Sequence, residues 1–290
     1  MQVSYASWVG SRYFGDPADP YGVALPAPAG PAPVTREDDE RVNEDRVFAS
    51  NDTVVVLDGA TQMRAETGCR HDVAWFVDRL GCHLAAALAT EPDNSPETAL
   101  ARAIVDVRGL HEDSCDLTHA DSPSATVAIL RCRGAKLEYL VLCDTVIAFR
   151  RRGGNVHVVT DERLRRLPDD TQATKRALRN RIGGFWVAGT DPAAARNAVS
   201  GRVELADVDA ALVLTDGVTR LVERYGVSWP QLFALAETGG PDAVLRRLRA
   251  AEAATEPGRF PDKTHDDATL VLCALAAPAG PAHHSEGGNR

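Results

Sequence analysis

The chain contains no apolar run approaching the roughly 20 residues that a membrane-spanning helix needs. Met1 to Gly10 also lacks the basic start and apolar stretch of a signal peptide. Both absences lead to the expectation of a cytoplasmic protein. Basic charge is short as well: 32 Lys and Arg stand against 41 Asp and Glu, a net charge of −9. That balance argues against a general nucleic-acid binder, because no basic excess exists to neutralise phosphates. The runs Arg150-Arg151-Arg152, Arg165-Arg166 and Arg246-Arg247 are accordingly read as solvated surface. Six cysteines are present, and none stands in Cys-x-x-Cys spacing. Cys132, Cys143 and Cys273 fall in apolar, strand-like runs, where a thiol behaves as a small hydrophobe. With no such spacing a zinc site is not expected, and thiols in the cytoplasm are expected to be reduced.

What is present is enough apolar residue, 44% of 290 positions, to bury one large core. Residues 16–34, with Pro17, Pro20, Pro26, Pro28, Pro31 and Pro33, read as an extended connector. The aromatics of Tyr5 to Phe14 suggest a first strand docked on the sheet. Apolar residues at Val73, Phe76, Val77, Leu80, Leu84 and Leu88 predict a helix within 67–90. Ser95-Pro96-Glu97 opens a second helix, running to about His111. A meander follows: strands at 125–132, 137–144, 146–150 and 156–160, joined by Gly-bearing turns, hence antiparallel. Asp161 to Trp186 is charged and weakly periodic, and reads as a helix and a mobile flap. Strands at 209–216 and 268–275 enclose helices at 218–225, 230–238 and 242–254. The tail from Ala276 should be disordered. These elements predict an α+β fold, a sandwich of two antiparallel sheets flanked by helix pairs. The expected divisions are 1–39, a strand and connector; 40–275, one domain; and 276–290, the tail.

Four acidic clusters sit at strand ends: Asn43-Glu44-Asp45, Leu57-Asp58-Gly59-Ala60, Leu214-Thr215-Asp216-Gly217 and His265-Asp266-Asp267-Ala268-Thr269. Two follow apolar runs, Val54 to Leu57 and Ala211 to Leu214. A strand of that kind carries a carboxylate from a buried sheet into a cleft. Gathered in one place, such carboxylates repel, and hard divalent ions with oxygen ligands, Mg²⁺ or Mn²⁺, offset the repulsion. Two such ions generate a hydroxide nucleophile and clamp a phosphoryl group, which points to a metal-dependent phosphohydrolase. Each Asp taken alone is a common turn residue; the case rests on their number.

These segments, with Ser122-Pro123-Ser124-Ala125-Thr126-Val127 and Val141-Leu142-Cys143-Asp144-Thr145, resemble those of the bacterial metal-dependent protein Ser/Thr phosphatases of the 2C type. They occur in the family's order over about residues 40 to 275. The resemblance implies a metal-bridged hydroxide that hydrolyses phosphoserine or phosphothreonine on proteins, with a phosphorylated protein as partner. It implies two Mg²⁺ or Mn²⁺ ions and the catalytic set Asp58, Asp216 and Asp266. Asp58 would bridge the ions, with the Gly59 carbonyl as a further ligand. Asp216 and Asp266 would complete the second ion's shell, and Glu44 or Asp45 would stand near the first. Asp144 matches the aspartate that in some members helps to hold a weak third ion.

The departures from that pattern concern the same sites. Ala60 stands where some members carry a His general acid, so leaving-group protonation would fall to metal-bound water. Cys143 replaces the glycine of the family's Gly-Asp element. The family's phosphate-binding Arg position is Glu40 here, leaving Arg41 and Arg36 as displaced candidates. Arg220 stands where some relatives place another acid. Two other readings follow from these departures: a pseudophosphatase that uses the sandwich as a binding module, and a phosphatase for a small molecule. Asp267 reads as a strand-start or supporting residue. His71 and His265 read as solvated or locally hydrogen-bonded, Ser124 and Thr126 as alternating strand residues, and Arg163, Arg165 and Arg166 as solvated charge.

Overall fold

The computed structural model describes residues 1–10, 42–60, 67–260 and 263–275. The expected connector, Arg36, Glu40, Arg41, Thr61, Gln62 and the tail lie outside the described residues. Two five-stranded antiparallel sheets form the centre. One runs β1 (Gln2–Trp8), β10 (Ala268–Ala274), β9 (Val208–Leu214), β6 (Val146–Arg151), β7 (Val156–Val159). The other runs β2 (Arg46–Ala49), β3 (Thr53–Gly59), β4 (Ala125–Arg133), β5 (Lys136–Leu142), β8 (Val199–Glu204).

Strand alternation explains why the runs are apolar on both faces. Val54 and Val56 of β3 point into the inter-sheet core with Ala128, Ile147, Phe149 and Val213. Val55 and Leu57, one residue out of phase, face the opposite way, onto helices α1 (Val73–Thr90) and α2 (Pro96–Gly109). The β9 strand repeats the pattern. Ala211 and Val213 face inward, while Leu212 and Leu214 meet α5 (Asp216–Glu223) and α6 (Trp229–Ala253). The result is helices, sheet, sheet, helices, the sandwich expected from the meander.

Local chemistry sets the element boundaries. The first helix starts at Val73, not within 67–72, because the Asp72 side chain accepts from Trp75 N–H at 2.8 Å and caps it. Ser95 caps α2 with Pro96 in its first turn. The α6 segment holds two helices joined at a break, where Gly240 takes φ +77° and Pro241 cannot continue the ladder. This matches the two helices expected there. The first strand lies at 2–8, earlier than the aromatic run suggested. Two strands escaped the sequence reading. The β2 strand has only four residues, and β8 is an edge strand whose residues are largely exposed, so neither carries a core-forming apolar run. In the flap region, a short 3₁₀ turn (Leu164–Arg166) and α3 (Gln172–Leu178) precede the four-residue helix α4 (Ala193–Arg196). Among the described residues no helix is long and apolar enough to cross a membrane.

Candidate active site

Strand register brings the acids to one end of the sandwich. In the first sheet Leu214 pairs with both Leu270 and Val146. The end of β9 therefore lies beside the starts of β10 and β6, which places Asp216, Asp266 and Asp144 together. In the second sheet Arg46 pairs with Leu57, and Asp58 with Thr126. That register sets Asp45 next to the tip of β3. Asp58, Gly59, Asp144, Asp216 and Asp266 all line one open cleft of about 290 Å³. Asp45 lies buried behind them, 2% exposed.

Two glycines are required by close approach. A Cβ at Gly59 would meet Val73 Cγ1 at 2.3 Å, and one at Gly217 would meet the Asp267 carbonyl oxygen at 2.0 Å. The Asp-Gly pairs that resemble ordinary turns are thus packing requirements at the seam where the acids meet. At Cys143 the backbone takes φ +67°, a left-handed conformation that glycine adopts freely and other residues adopt at a cost. The missing glycine of the Gly-Asp element therefore leaves the backbone geometry in place.

Crowding shows in the acidities. Burial, followed by repulsion from Asp45, Asp216 and Asp144, drives the Asp58 carboxyl well above the ordinary range. Asp45 is raised well above it too, first by burial and then by Asp267. Asp216 is pushed up to about 7 by burial and by Asp266 and Asp144. Asp144 is raised, mainly by burial. Asp266 goes the other way: burial raises it, but Lys263 and Arg220 outweigh burial and the net direction is down.

The supporting contacts sort the remaining candidates. Thr215 Oγ1 donates to Asp45 Oδ2 at 3.0 Å and itself accepts from Thr269 N–H at 3.0 Å. Asp45 Oδ1 is buried and has no hydrogen-bond partner among the described residues. Glu44 joins through its main chain: its N–H donates to Asp267 at 2.7 Å and its carbonyl accepts from Gly59 N–H at 3.1 Å. Asp267 also accepts from Gly10 N–H at 2.6 Å, and so ties three segments together as a supporting residue. Arg220 is buried and lies 2.8 Å from Asp266 and 3.4 Å from Glu252. His265 is not solvated: it is fully buried, with Nδ1 at 2.7 Å from Glu252. Ser124 and Thr126 line the cleft as residues of a strand and its approach.

Several cleft residues carried no recognisable sequence signal. Lys263 lies 2.6 Å from Asp266. Lys175, Arg176 and Arg179 come from or adjoin α3 and form a basic wall facing the acids. Arg176 is fixed by Asp121 at 2.6 Å, and Arg179 by the Ala120 and Ser122 carbonyls at 3.0 and 2.8 Å. The three flap arginines are each paired, Arg163 with Asp161, Arg165 with Glu223 and Arg166 with Glu162; Arg165 and Arg166 remain exposed, as solvated charge would, and only Arg163 is half-buried.

The donor set fits hard divalent ions. It is made of oxygen, its carboxylates repel one another, and one buried carboxylate oxygen has no partner among the described residues.

Comparison with known proteins gives the family and the fold. The protein phosphatase 2C family model matches residues 35–251. Among solved structures, the serine/threonine phosphatase Stp1 from Staphylococcus aureus superposes with a TM-score of 0.57 at 13% identity, covering 95% of each chain. The serine/threonine phosphatase PstP/Ppp of Mycobacterium tuberculosis gives 0.53 at 16% identity, covering 95% of this chain and 99% of the other. The phosphatase MsPP from Mycobacterium smegmatis gives 0.53 at 16% identity with the same coverage. At these identities the likeness is one of fold. No curated protein sequence matches the chain.

Proposed function

The chain belongs to the protein phosphatase 2C family, and from that premise we propose that it hydrolyses phosphoserine and phosphothreonine on proteins with two Mg²⁺ or Mn²⁺ ions. The observation that carries this reading is the convergence of Asp45, Asp58, Asp144, Asp216 and Asp266 at one end of the sandwich. Asp58, nearest the centre of the cluster by its interactions, would bridge the ions, with the Gly59 carbonyl beside it. Asp216 and Asp266 would serve the second ion. For the first ion the orphaned oxygen of Asp45 favours Asp45 over Glu44. Asp144 would hold a weaker third. When bound, such ions acidify water and offset phosphoryl charge.

The chain's own groups do the rest. The acids exclude a free phosphate from the cleft unless their charge is neutralised. The basic wall of Lys175, Arg176 and Arg179, with Lys263, offers the opposite charge to an incoming phosphoryl group. Thr215 and Asp267 hold the acids in place through the hydrogen bonds described above. Position 60 is Ala, so that position supplies no proton to the leaving serine or threonine. The phosphate role of Arg36 and Arg41 stays a sequence expectation, since both lie outside the described residues.

One observation favours a second reading, a binding module with little turnover. Both oxygens of Asp266 are engaged by cations, Lys263 and Arg220, and a metal ion would have to displace Lys263. A phosphatase acting on a small molecule is the third. Turnover of p-nitrophenyl phosphate and of phosphoserine and phosphothreonine peptides, across Mg²⁺, Mn²⁺ and EDTA, separates the three. Metal-dependent release from peptides is expected. Activity that survives exhaustive chelation sinks the metal reading, no turnover favours the binding module, and turnover confined to small esters favours the third.

A further inference from the structure

Outside the cleft, four side chains from two separate segments converge with a geometry that the phosphatase site does not use. Cys69 and His71 precede α1, and His111 and Cys115 follow α2. One ligand atom from each lies within 4.8 Å of every other. Cys69 Sγ is 3.6 Å from His71 Nδ1, 3.4 Å from His111 Nδ1 and 3.2 Å from Cys115 Sγ, and Cys115 Sγ is 3.7 Å from His71 Nδ1. We propose that these four residues form a structural zinc site, separate in place and in chemistry from the carboxylate cluster.

Four of the six ligand pairs lie near the spacing of a tetrahedron, and the other two lie within 4.8 Å. Zinc–sulfur bonds of about 2.3 Å and zinc–nitrogen bonds of about 2.0–2.1 Å place neighbouring ligand atoms roughly 3.3–3.8 Å apart. The three sulfur–nitrogen contacts fall in that range, and the two sulfurs, 3.2 Å apart, would move apart by roughly 0.6 Å to admit a central ion. Two thiols and two imidazoles are borderline-soft donors that suit zinc and do not suit Mg²⁺ or Mn²⁺. The two sites therefore sort their ions by donor type. With four protein ligands the coordination is closed, which is the arrangement of a structural ion and not of a catalytic one.

A disulfide between Cys69 and Cys115 would account for two of the four groups only. It assigns no task to the imidazoles, whose Nδ1 atoms both point at the sulfurs. The His rings are themselves held: His71 stacks on Trp75 at 3.9 Å between centroids, and Trp75 lies 5.2 Å from the His111 ring. His111 is 2% exposed, so it does not reach its position as a solvated surface residue.

The sequence signal was present in a form that a search for Cys-x-x-Cys passes over. Cys69-x-His71 and His111-x-x-x-Cys115 each place two ligands within one local turn, and pairing α1 with α2 closes the set. The ion would join the segment entering α1 to the segment leaving α2. That junction already carries the Asp116 N–H to Gly68 carbonyl bond at 2.7 Å. The same turn leads directly to Asp121 and Ser122 in the cleft wall, so the site would brace that wall without touching the reaction.

The test uses the reduced full-length chain, first cleared of metal and then titrated with Co²⁺ in excess Mg²⁺, which saturates the carboxylate cluster. The expected result is one equivalent of Co²⁺ with the intense tetrahedral and thiolate-to-cobalt absorption bands, quenching of Trp fluorescence, and displacement by one equivalent of Zn²⁺. Asp58→Asn should keep the bands, and Cys69→Ser/Cys115→Ser should lose them. A wild-type chain that gives no thiolate band, or whose bands persist in the double Ser variant, overturns the proposal. So does a protein isolated under non-reducing conditions with Cys69 and Cys115 quantitatively joined and with no zinc. If the double variant does not fold, the wild-type spectrum and Zn²⁺ displacement decide the matter alone.

Discussion

Lys263 Nζ stands 2.6 Å from Asp266 Oδ1, inside the cleft and on the one acid of the cluster whose acidity is increased. This ion pair keeps Asp266 ionised while its neighbours are pushed toward protonation. It also puts a positive charge where a divalent ion would bind. Replacing Lys263 with Gln should lower the Mn²⁺ concentration for half-maximal activity, by about 3- to 10-fold for one like charge a few ångströms away. The KM for a phosphopeptide should rise, because the cleft loses a cation. Metal titrations of activity, with kcat and KM separated, check this. A higher Mn²⁺ requirement would show that Lys263 supports the site instead of competing for it.

Removing the central carboxyl, which without metal must either stand among like charges or take up a proton to stay buried, should have opposite effects with and without metal. Like charges this close cost on the order of 1 kcal/mol per pair even at high effective dielectric. The metal-free Asp58→Asn protein should therefore melt at or above the metal-free parent. With saturating Mn²⁺ the order should reverse, since only the parent gains binding energy linked to its folded state. Activity should fall by orders of magnitude. Melting curves in EDTA and in Mn²⁺ test this, and an equal loss of stability in both would make Asp58 a structural turn residue.

The raised acidities set a pH dependence for the metal-free protein. Asp216 sits at about 7, and Asp58 and Asp45 are also raised, in each case by burial first. Between about pH 4 and 7 the folded chain then holds protons that the unfolded chain has lost. Stability should be full at the acidic end of that window and fall as pH rises through the folded values. Asp266, shifted down, acts in the opposite sense but only below its ordinary range. Mn²⁺ should reverse the slope, because ions bind the deprotonated acids. Thermal melts at about pH 5 to 8, with EDTA and with Mn²⁺, provide the measurement. A metal-free Tm that climbs across this range contradicts the raised values.

Cys143 offers a backbone test. At φ +67° a side chain costs roughly 1 kcal/mol relative to glycine. Cys143→Ala and Cys143→Gly both lose the packing of the thiol against Phe185 and Val187. Only the glycine variant relieves the backbone. Cys143→Gly should therefore be the more stable of the two, the reverse of the usual order for a strand or helix interior. Chemical denaturation of both variants decides, and Ala above Gly would show that packing sets this position.

Much of the fold was legible because it depends on period and punctuation. The inward and outward faces of β3 and β9 follow from alternation, and the helix start at Ser95 follows from its cap, whereas the start at Asp72 was not read from the spacing of the apolar residues. The β2 and β8 strands were not legible, because their pairing comes from the neighbouring strand and not from their own apolar content. The acids were legible as strand-end residues, since an apolar run ending in Asp-Gly keeps its meaning without a partner.

By itself the sequence determined the sandwich, the order of its elements apart from β2 and β8, and the carboxylates that its strands deliver. Only the tertiary structure decided which groups face one another. Lys263 reaches Asp266 across a single turn, yet α3 contributes its basic wall from residues more than a hundred positions away from Asp58. Cys69 and Cys115 meet across α1 and α2 although no cysteine spacing announces them. The physical reason is common to the last two cases. Periodicity and capping act within a few residues of chain, whereas charge and ligand convergence depend on distances in space, which are fixed only when the two sheets and their helices close on their shared cores.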